Sequence, residues 1–279
     1  MTWRARYQEA AARLDCRLDA RRIVEEAATG AWPFLLDEPV SERAARYFDQ
    51  MVDRRAAGEP LQYVVGRWGF RRLDLLVDRR VLIPRPETEQ VVSVALSELS
   101  HLGPDAVVVD LGTGSGAIAL SLAAEGRPAA VWATDASADA LRIARANLAG
   151  LGGSRAARVR LVEGSWWDAL PAELAGTVSL IVSNPPYVSS AEMATLPAVV
   201  ADWEPVSALE AGPTGLEAIR TIVEGAPRWL ARPGALVVEL APHQAAAAQA
   251  AATAAGFDET QVVPDLSGRE RALVARIRP

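Results

Sequence analysis

The stretch that decides the fold is "VVVDLGTGSGAIAL", residues 107–120. Its β-branched run predicts a buried strand, and its second apolar run predicts a helix. The turn between them allows a close approach of the backbone to a ligand, because glycine has no side chain. Three glycines alternate there with two hydroxyl residues: Gly112, Thr113, Gly114, Ser115 and Gly116.

Around this unit, the chain alternates apolar strands with helices from about residue 105 onward. Continuous apolar strands between helices predict a mostly parallel sheet that is covered on both faces. The last two strands are close enough in sequence to form an antiparallel edge. We therefore expect an α/β fold with a doubly wound, seven-stranded, mostly parallel sheet and an antiparallel edge. The predicted strands are 106–110, 130–135, 159–164, 178–184, 235–240, 259–264 and 271–277.

The first part of the chain has a different pattern. Apolar residues recur at helical spacing over residues 3–14, 18–30 and 41–59, which predicts three amphipathic helices. Gly30 is a candidate stop for the second helix, and Ser41 is a candidate N-cap for the third. These helices predict a small N-terminal helical domain.

A hairpin is expected after these helices. Residues 61–83 are rich in β-branched and aromatic residues and contain two glycines, a composition that favours strands joined by a turn. Two prolines then stiffen the approach to a helix that begins near Glu87. We expect the helical domain to cover residues 1–75, a hairpin and linker region to cover 76–87, and the sheet domain to cover 88–279.

Composition excludes several kinds of chemistry. All 29 basic residues are arginines, so a Schiff-base lysine and a phosphate-loop lysine are excluded. The two histidines, His101 and His243, and the single cysteine, Cys16, are too few for a histidine- or cysteine-based metal site. Both histidines are expected at the surface or near helix ends. We expect a reaction that uses no metal, lysine or histidine.

The distribution of charge and of apolar residues indicates which partners and which cellular compartment to expect. Residues 1–85 carry 16 arginines and 13 acidic residues, a net of +3, and residues 86–279 carry a net of −9, within the total of −6. A duplex-DNA-binding protein more often has a strongly basic face. Neither a signal-peptide pattern nor an apolar run of about 20 residues is present. We expect a cytoplasmic protein without a membrane partner.

The loop after the first strand of the sheet is acidic. Asp110 ends that strand, and Asp135 ends the next one, about 20 residues beyond the glycines, where an acid can bind both hydroxyls of a ribose. The glycine spacing is not the dinucleotide pattern, and no arginine in the loop could meet a pyrophosphate. Such a loop suits a positively charged nucleoside such as S-adenosylmethionine. The alternative is a turn that only packs a strand against a helix.

Two tryptophans follow the third strand of the sheet, Trp166 and Trp167 in "VEGSWWDAL". Either ring could form the wall of an adenine-sized pocket. Each is explained equally well as a core aromatic beneath a helix. The residues themselves leave this choice open.

The fourth strand of the sheet ends in "SNPPYV", residues 183–188. Pro185 favours an extended backbone at Asn184, and neither Pro185 nor Pro186 has an amide hydrogen. Asn184 Oδ1 and the Pro185 carbonyl can therefore accept two hydrogen bonds from one NH₂ group, while Tyr187 packs on the attached planar system. Two acceptors would orient a weakly nucleophilic nitrogen and bind the positive charge that develops on it. The alternative is an ordinary Asn-Pro turn.

Together these motifs resemble the release-factor glutamine methyltransferases of the HemK/PrmC type, a class I S-adenosylmethionine-dependent methyltransferase family, over essentially the full chain. N-P-P-Y is shared with DNA amino-methyltransferases and with the ribosomal-protein glutamine methyltransferase. "IPRPETE" and the helical first domain favour release factors among these relatives. The stretches that carry the resemblance are "GEPLQYVVGRWGF", "VLIPRPETE", "DLGTGSGAIALSLA", "ATDAS", "SNPPYV", "EPVSALEAGPTGLEAI" and "DLSGRERALVARI".

The resemblance implies methyl transfer from S-adenosylmethionine to the side-chain amide nitrogen (N5) of a glutamine, with S-adenosylhomocysteine as product and no metal. The glutamine would be that of the Gly-Gly-Gln motif in peptide chain release factors 1 and 2, whose methylation modulates translation termination. The helical domain would dock the substrate, and residues 88–279 would form the methyltransferase domain. No stable nucleic-acid partner is implied.

The resemblance also implies roles for individual residues. Ser165 stands where this family often has an aspartate, so a contact with the adenine amine is not carried over. Cofactor binding is implied for Gly112, Thr113, Gly114, Ser115, Gly116, Asp135, Trp166 and Asn184. Catalysis is implied for Asn184, Pro185 and Tyr187, and binding of the glutamine for Asn184, Pro185, Pro186 and Tyr187.

Three alternatives remain at this stage. One is glutamine methylation of a ribosomal protein, and another is N6-adenine methylation of DNA, against which the lack of a basic patch counts. The third is a non-catalytic binding module that keeps the fold. The intact Asn-Pro-Pro-Tyr sequence argues against that module, because a protein without the chemistry has no need of those acceptors.

Overall fold

The computed structural model describes residues 1–30, 32 and 34–279. The chain forms two compact units. The first contains residues 1–68 and 197–203, and the second contains 69–196 and 204–279. Within the described residues, no helix combines the length and the apolar character that crossing a membrane requires.

The first unit is helical, as the sequence predicts. Ser41 is confirmed as an N-cap, because its side chain accepts a hydrogen bond from the Ala44 amide at 3.3 Å. The stop of the second helix differs from the prediction: Thr29, with φ 50°, takes the left-handed conformation that was expected of Gly30. The helices of this unit are α1 (Trp3–Leu14), α2 (Arg17–Ala28), α3 (Glu42–Ala56), α4 (Leu61–Val65) and α10 (Ala198–Ala201).

The hairpin predicted within residues 61–83 is present. Strands β1 (Arg67–Phe70) and β2 (Leu73–Leu76) form it, whereas the predicted hairpin and linker region covered 76–87. No helix or strand occupies residues 77–85. The next helix, α5 (Pro86–His101), starts where the sequence predicted.

The first five residues of the 61–83 stretch lie outside the hairpin and form the helix α4. The amides of Tyr63 and Val64 both donate to the Pro60 carbonyl at 3.0 Å. Pro60 is the N-cap of this helix, and its carbonyl is the acceptor for the first turn. Gly66 then ends the helix with φ 76°. Local hydrogen bonding to Pro60 therefore overrides the β-branched composition.

The second unit contains a seven-stranded sheet in the order β10-β11-β9-β6-β3-β4-β5. The central strands are parallel, and β10 and β11 form the antiparallel edge, so the predicted fold is confirmed. Its strands are β3 (Val107–Leu111), β4 (Ala130–Asp135), β5 (Val159–Glu163), β6 (Val178–Ser183), β9 (Leu230–Glu239), β10 (Glu259–Pro264) and β11 (Glu270–Ile277). Its remaining helices are α6 (Ala117–Glu125), α7 (Ala138–Leu151), α8 (Gly153–Ala156), α9 (Ser190–Met193), α11 (Glu217–Trp229) and α12 (Ala245–Ala254).

Another two-stranded sheet, besides the β1–β2 hairpin, follows the Asn-Pro-Pro-Tyr stretch and was not predicted. It pairs β7 (Val188–Ser189) with β8 (Glu210–Gly212) in parallel. The Val188 amide donates to the Leu209 carbonyl at 3.0 Å. The residue that follows Tyr187 is thereby fixed to a segment more than twenty positions later in the chain.

Strand register places the ends of three strands side by side. Leu111 of β3 pairs with Ser183 of β6 and with Thr134 of β4. The Ser183 hydroxyl also donates to the Leu111 carbonyl at 2.7 Å. Because parallel strands end at the same edge of a sheet, Gly112 and Asn184 emerge next to each other.

Trp167 is half-buried and packs against the core of the second unit. Its indole Nε1 donates to the Thr221 carbonyl at 2.9 Å, and its ring stacks on Trp229 with a centroid distance of 6.0 Å. Gly225 in α11 makes room for it, because a Cβ at that position would lie 2.1 Å from Trp167 Nε1. The tryptophan is therefore packed against a helix face that tolerates only glycine.

We expect Gly225→Ala to lower the free energy of unfolding by about 1–3 kcal/mol, the usual cost of overpacking a core. Gly150→Ala is a matched control, because Gly150 also lies in a helix, and a Cβ there would meet nothing within 4 Å. That control should be neutral or stabilise by about 0.5–1 kcal/mol. Urea denaturation of both variants tests the packing, and equal stabilities would contradict it.

Candidate active site

A pocket opens at the edge of the sheet where β3, β4 and β6 end. Most of the residues predicted for the site line it, but Gly116, Pro185 and Tyr187 are not among its lining residues. The predicted site residues that line it are Gly112, Thr113, Gly114, Ser115, Asp135, Trp166, Asn184 and Pro186.

The glycine turn forms one wall of this pocket. Gly112 and Gly114 have φ angles of 72° and 57°, a region that residues with a side chain rarely adopt. The Gly114 amide donates to Asp135 Oδ2 at 2.8 Å, and Asp135 Oδ1 accepts from the Ser137 amide at 2.8 Å. A Cβ at Gly114 would meet nothing within 4 Å, so the turn leaves open space for a ligand.

Gly116 has a different role from the other glycines of the turn. It precedes α6 with φ 86°, and a Cβ there would lie 3.0 Å from Leu120 and 3.6 Å from Ala144. Its lack of a side chain therefore serves the packing of α6 on α7. The structure does not bring it to the pocket, although the sequence grouped it with the cofactor-binding residues.

The buried carboxylate of Asp110 hydrogen-bonds to the glycine turn and to the start of α6. Asp110 is fully buried, and its Oδ2 accepts hydrogen bonds from the Thr113 hydroxyl at 2.6 Å and from the Ala119 amide at 3.0 Å. No described residue hydrogen-bonds to its other oxygen. Burial raises the pKa of Asp110 to about 7, and the negative charge of Asp135 adds to this rise. Burial also raises the pKa of Asp135. A positively charged ligand would relieve both groups.

The sequence did not decide which of the two tryptophans, Trp166 or Trp167, lines the pocket, and the structure distinguishes them. Trp166 lines the pocket, and a Cβ on Gly112 would lie 3.8 Å from its ring. Its backbone is left-handed, with φ 44°, a conformation that costs energy and is often retained at functional sites. Ser165 also lines the pocket, whereas Trp167 packs on α11.

Asn184 is held by a residue from outside its own motif. Its Nδ2 donates to the Thr88 hydroxyl oxygen at 3.1 Å. The amide orientation that this bond sets leaves Oδ1 as the atom available to a ligand. Pro185 is buried behind Asn184, while Pro186 reaches the pocket.

Tyr187 is anchored from behind. Its carbonyl accepts a hydrogen bond from Gln244 Nε2 at 2.8 Å, and the same Nε2 donates to the Gly215 carbonyl at 3.0 Å. Its ring packs against the core of the second unit. Burial raises the pKa of the Tyr187 phenol to about 12, and the charge of Glu239 contributes to the rise. The hydroxyl is therefore neutral at physiological pH.

Several residues near this pocket were not predicted. Thr88 and Arg80 line it, and Arg80 forms a bidentate ion pair with Asp78. Arg85 pairs with the buried Glu204 at 2.5 Å. This pair joins "IPRPETE" to "EPVSALEAG", two stretches quoted for the resemblance. Sequence spacing alone gives no sign of it, because about 120 residues separate the partners.

The histidines lie where the sequence placed them. His101 is exposed at the end of α5, and His243 lies in a short 3₁₀ turn, 3.7 Å from Glu192. Neither is among the described residues that line the pocket.

Comparison with known proteins agrees with this geometry. Residues 5–66 match the PrmC N-terminal domain, and residues 91–202 match the methyltransferase small domain. The release factor glutamine methyltransferase of Cereibacter sphaeroides is 42% identical, over 93% of this chain and 90% of the relative. That of Moorella thermoacetica is 41% identical, over 99% and 98%. The chain belongs to the release factor glutamine methyltransferase family. A methyltransferase structure from Pyrococcus furiosus shares the fold, with a TM-score of 0.54 and 17% identity over 86% of this chain and all of that one.

Membership of this methyltransferase family, together with the fold, implies the use of S-adenosylmethionine. The pocket fits that cofactor in three respects. The glycine turn leaves room for a chain of atoms, the Asp135 carboxylate lies at the end of β4, and Trp166 offers a flat face. Asp110 and Asp135 supply the negative charge that suits a sulfonium.

We expect the affinity for S-adenosylmethionine to fall by roughly three- to tenfold between pH 8 and pH 6. A cation binds better to ionised Asp110, whose pKa is about 7, so affinity is high above that pH and is lost as Asp110 gains a proton. Calorimetric titration over this range measures the effect. S-adenosylhomocysteine, which lacks the sulfonium charge, should show a smaller dependence. An affinity that is unchanged by pH, or an equal dependence in Asp110→Asn, would contradict this account.

Proposed function

We propose that this protein transfers a methyl group from S-adenosylmethionine to the side-chain amide nitrogen of the Gly-Gly-Gln glutamine of peptide chain release factors 1 and 2. The observation that carries the proposal is the placement of Asn184 beside the glycine turn, on paired strand ends. The substrate class follows from the printed names of relatives that share about 40% of their residues with this chain.

The proposed role of Asn184 and Pro185 is to hold the amide. Asn184 Oδ1 and the Pro185 carbonyl accept the two N–H bonds of the glutamine, which fixes the rotation of its NH₂ group. The face of the nitrogen that carries the lone pair is then turned toward the methyl donor. The two acceptors bind more strongly as the nitrogen gains positive charge, so they stabilise the transition state more than the ground state.

The remaining residues would position and enclose the reactants. Gly112, Gly114 and neighbouring residues of the turn would hold the methionine part of the cofactor, Asp135 the ribose and Trp166 the adenine. When bound, S-adenosylmethionine supplies an electrophilic methyl group whose S–C electron pair stays on sulfur, which gives S-adenosylhomocysteine. The amide nitrogen loses one proton in the overall reaction. We propose no metal for this chemistry, because the two proposed acceptors are uncharged oxygens that bind the amide hydrogens directly.

We assign residues 1–75 to substrate docking and residues 88–279 to methyl transfer. A groove in the first unit supports the docking role, since it is lined by Arg4, Arg17 and Arg21 together with Tyr7 and Trp32. Arg4 and Arg21 already pair with Asp37 and Glu25, so Arg17 and the two aromatic rings are what suit this groove to an acidic and partly apolar protein face. The proposal places the protein in the cytoplasm with translation factors, without a stable nucleic-acid partner and without a membrane.

The experiment that tests this function supplies labelled S-adenosylmethionine and several acceptors in parallel. These are release factors 1 and 2, a release factor whose Gly-Gly-Gln glutamine is replaced by alanine, ribosomal proteins and duplex DNA. We expect label only in the release factors that keep the glutamine, with or without a chelator. Label in DNA or in ribosomal proteins, but not in release factors, would overturn the proposal.

Asn184→Ala should lower kcat by about 10²- to 10³-fold, the usual loss when one transition-state hydrogen bond is removed. The dissociation constant for S-adenosylmethionine should change much less, because the glycine turn and Asp135 remain. Calorimetry measures cofactor binding, and circular dichroism checks the fold. A loss of cofactor affinity as large as the loss of kcat would make Asn184 chiefly a cofactor ligand.

A further inference from the structure

Glu239 is a buried carboxylate at the end of β9 for which the proposed function so far has no role. It is 1% exposed. No described residue meets hydrogen-bond geometry with either of its carboxylate oxygens. An unpaired buried charge is costly, and such groups are seldom kept without a use. Glu239 therefore needs an explanation beyond packing.

The groups that face Glu239 come from three directions. Thr88 and Glu87 lie in the first turn of α5, Tyr187 follows β6, and Arg271 lies on β11. The two hydroxyls and Arg271 favour ionised Glu239, whereas Glu87 opposes it.

The two charged neighbours also pair with other groups, although Arg271 Nε has no hydrogen-bond partner among the described residues. Arg271 donates to the Leu240 carbonyl and to Asp265, each at 3.4 Å, and Glu87 lies 3.4 Å from Arg269. The neutral neighbours of Glu239 are therefore the hydroxyls of Thr88 and Tyr187. Of these, Thr88 is the one that contacts Asn184.

Thr88 faces Glu239 and is hydrogen-bonded to Asn184. Its oxygen accepts from Asn184 Nδ2 at 3.1 Å, so its own hydrogen must point to another acceptor. An ionised carboxylate only accepts hydrogen bonds. An ionised Glu239 is an acceptor toward which the Thr88 hydrogen can turn, and this leaves the Thr88 lone pairs for Asn184. Asn184 must then offer its NH₂ to Thr88 and keep Oδ1 for the pocket.

We propose that Glu239 and Thr88 are positioning residues, which orient the Asn184 side chain so that its oxygen, and not its NH₂ group, meets the substrate amide. The inference rests on the proposed function of Asn184. It explains why a carboxylate is kept behind Thr88, and why a hydroxyl residue lies in the pocket at that place. A reversed Asn184 amide would present donors to a substrate NH₂ group, which cannot accept them.

Protonation of Glu239 should disturb this arrangement. Burial raises the pKa of Glu239 to about 7. Below that pH the carboxyl group carries a hydrogen that can itself be donated to Thr88, in competition with Asn184. Above that pH the carboxylate accepts only, and Asn184 is held correctly. At saturating cofactor and release factor, kcat should therefore rise with pH through about 7 and then level off.

Kinetics of Thr88→Val, Thr88→Ser and Glu239→Gln test the inference. Thr88→Val keeps the shape but removes the hydroxyl, so kcat should fall by on the order of 10²-fold, as for other losses of substrate alignment. Thr88→Ser keeps the hydroxyl and should retain most of the wild-type kcat. Glu239→Gln can donate to Thr88, so it should lower kcat and remove its rise near pH 7. The dissociation constant for S-adenosylmethionine should change little in all three.

Ser121→Ala is the matched control for the loss of a buried polar group. Ser121 is fully buried in α6, no described residue hydrogen-bonds to its hydroxyl, and it does not line the pocket. Its replacement should leave kcat and the pH profile unchanged. A general loss of kcat in this variant as well would show that the effects at Thr88 and Glu239 are not specific.

A second readout needs no substrate and separates this inference from the proposed function. In ¹⁵N-labelled protein, the Asn184 side-chain NH₂ should exchange its hydrogens slowly, and exchange should speed up in Thr88→Val and Glu239→Gln. Unchanged exchange, or wild-type kcat in both variants, would overturn the inference while leaving release factor methylation intact. If wild-type protein fails to methylate release factors, the proposed function falls, and the exchange measurement still decides how Asn184 is held. Should Thr88→Val not fold, Glu239→Gln and Thr88→Ser supply the same comparison.

Discussion

The site depends on one constraint, the parallel pairing of β3 with β6. This pairing aligns Leu111 with Ser183 and is reinforced by the 2.7 Å bond from the Ser183 hydroxyl to the Leu111 carbonyl. A shift of one residue would turn every side chain of β6 to the opposite face of the sheet. Asn184 would then leave the glycine turn. The register is fixed because both strands are buried on both faces. The packing of the core therefore determines where Asn184 lies relative to the glycine turn.

The pocket has two parts that differ in charge: the glycine turn with its carboxylates, and the region of Asn184 with neutral oxygens. Around the glycine turn, Asp110 and Asp135 provide negative charge in a region of low polarity, which suits a sulfonium. The acceptors proposed at Asn184 and Pro185 are neutral oxygens, which can hold an amide without removing its proton first. Glu239 faces Thr88, which is hydrogen-bonded to Asn184, so we infer that its charge acts on Asn184 indirectly. The two buried carboxylates with a pKa of about 7, Asp110 and Glu239, therefore act on different partners, one on the cofactor side and one on the substrate side.

Much of the fold follows from sequence patterns, because apolar runs and glycine turns act locally. The seven strands, the antiparallel edge and the cap at Ser41 are of this kind. The helix at Leu61–Val65 was not predicted, because the β-branched composition of this stretch favours strands. Hydrogen bonds to the Pro60 carbonyl stabilise the helix instead. Thr88, Glu239 and the Arg85–Glu204 pair escaped prediction, since their partners lie far away in the sequence. The choice between Trp166 and Trp167 likewise required the contact of Trp167 with Gly225.

The central claim is that two fixed acceptors hold the amide of a glutamine beside the methyl donor. A crystal structure of the protein with S-adenosylhomocysteine and a release factor tests it most directly. We expect the glutamine Nε2 to lie about 2.9 Å from both Asn184 Oδ1 and the Pro185 carbonyl, with its free face toward the sulfur. A glutamine held by other groups, or an Asn184 that turns its NH₂ to the substrate, would contradict the account.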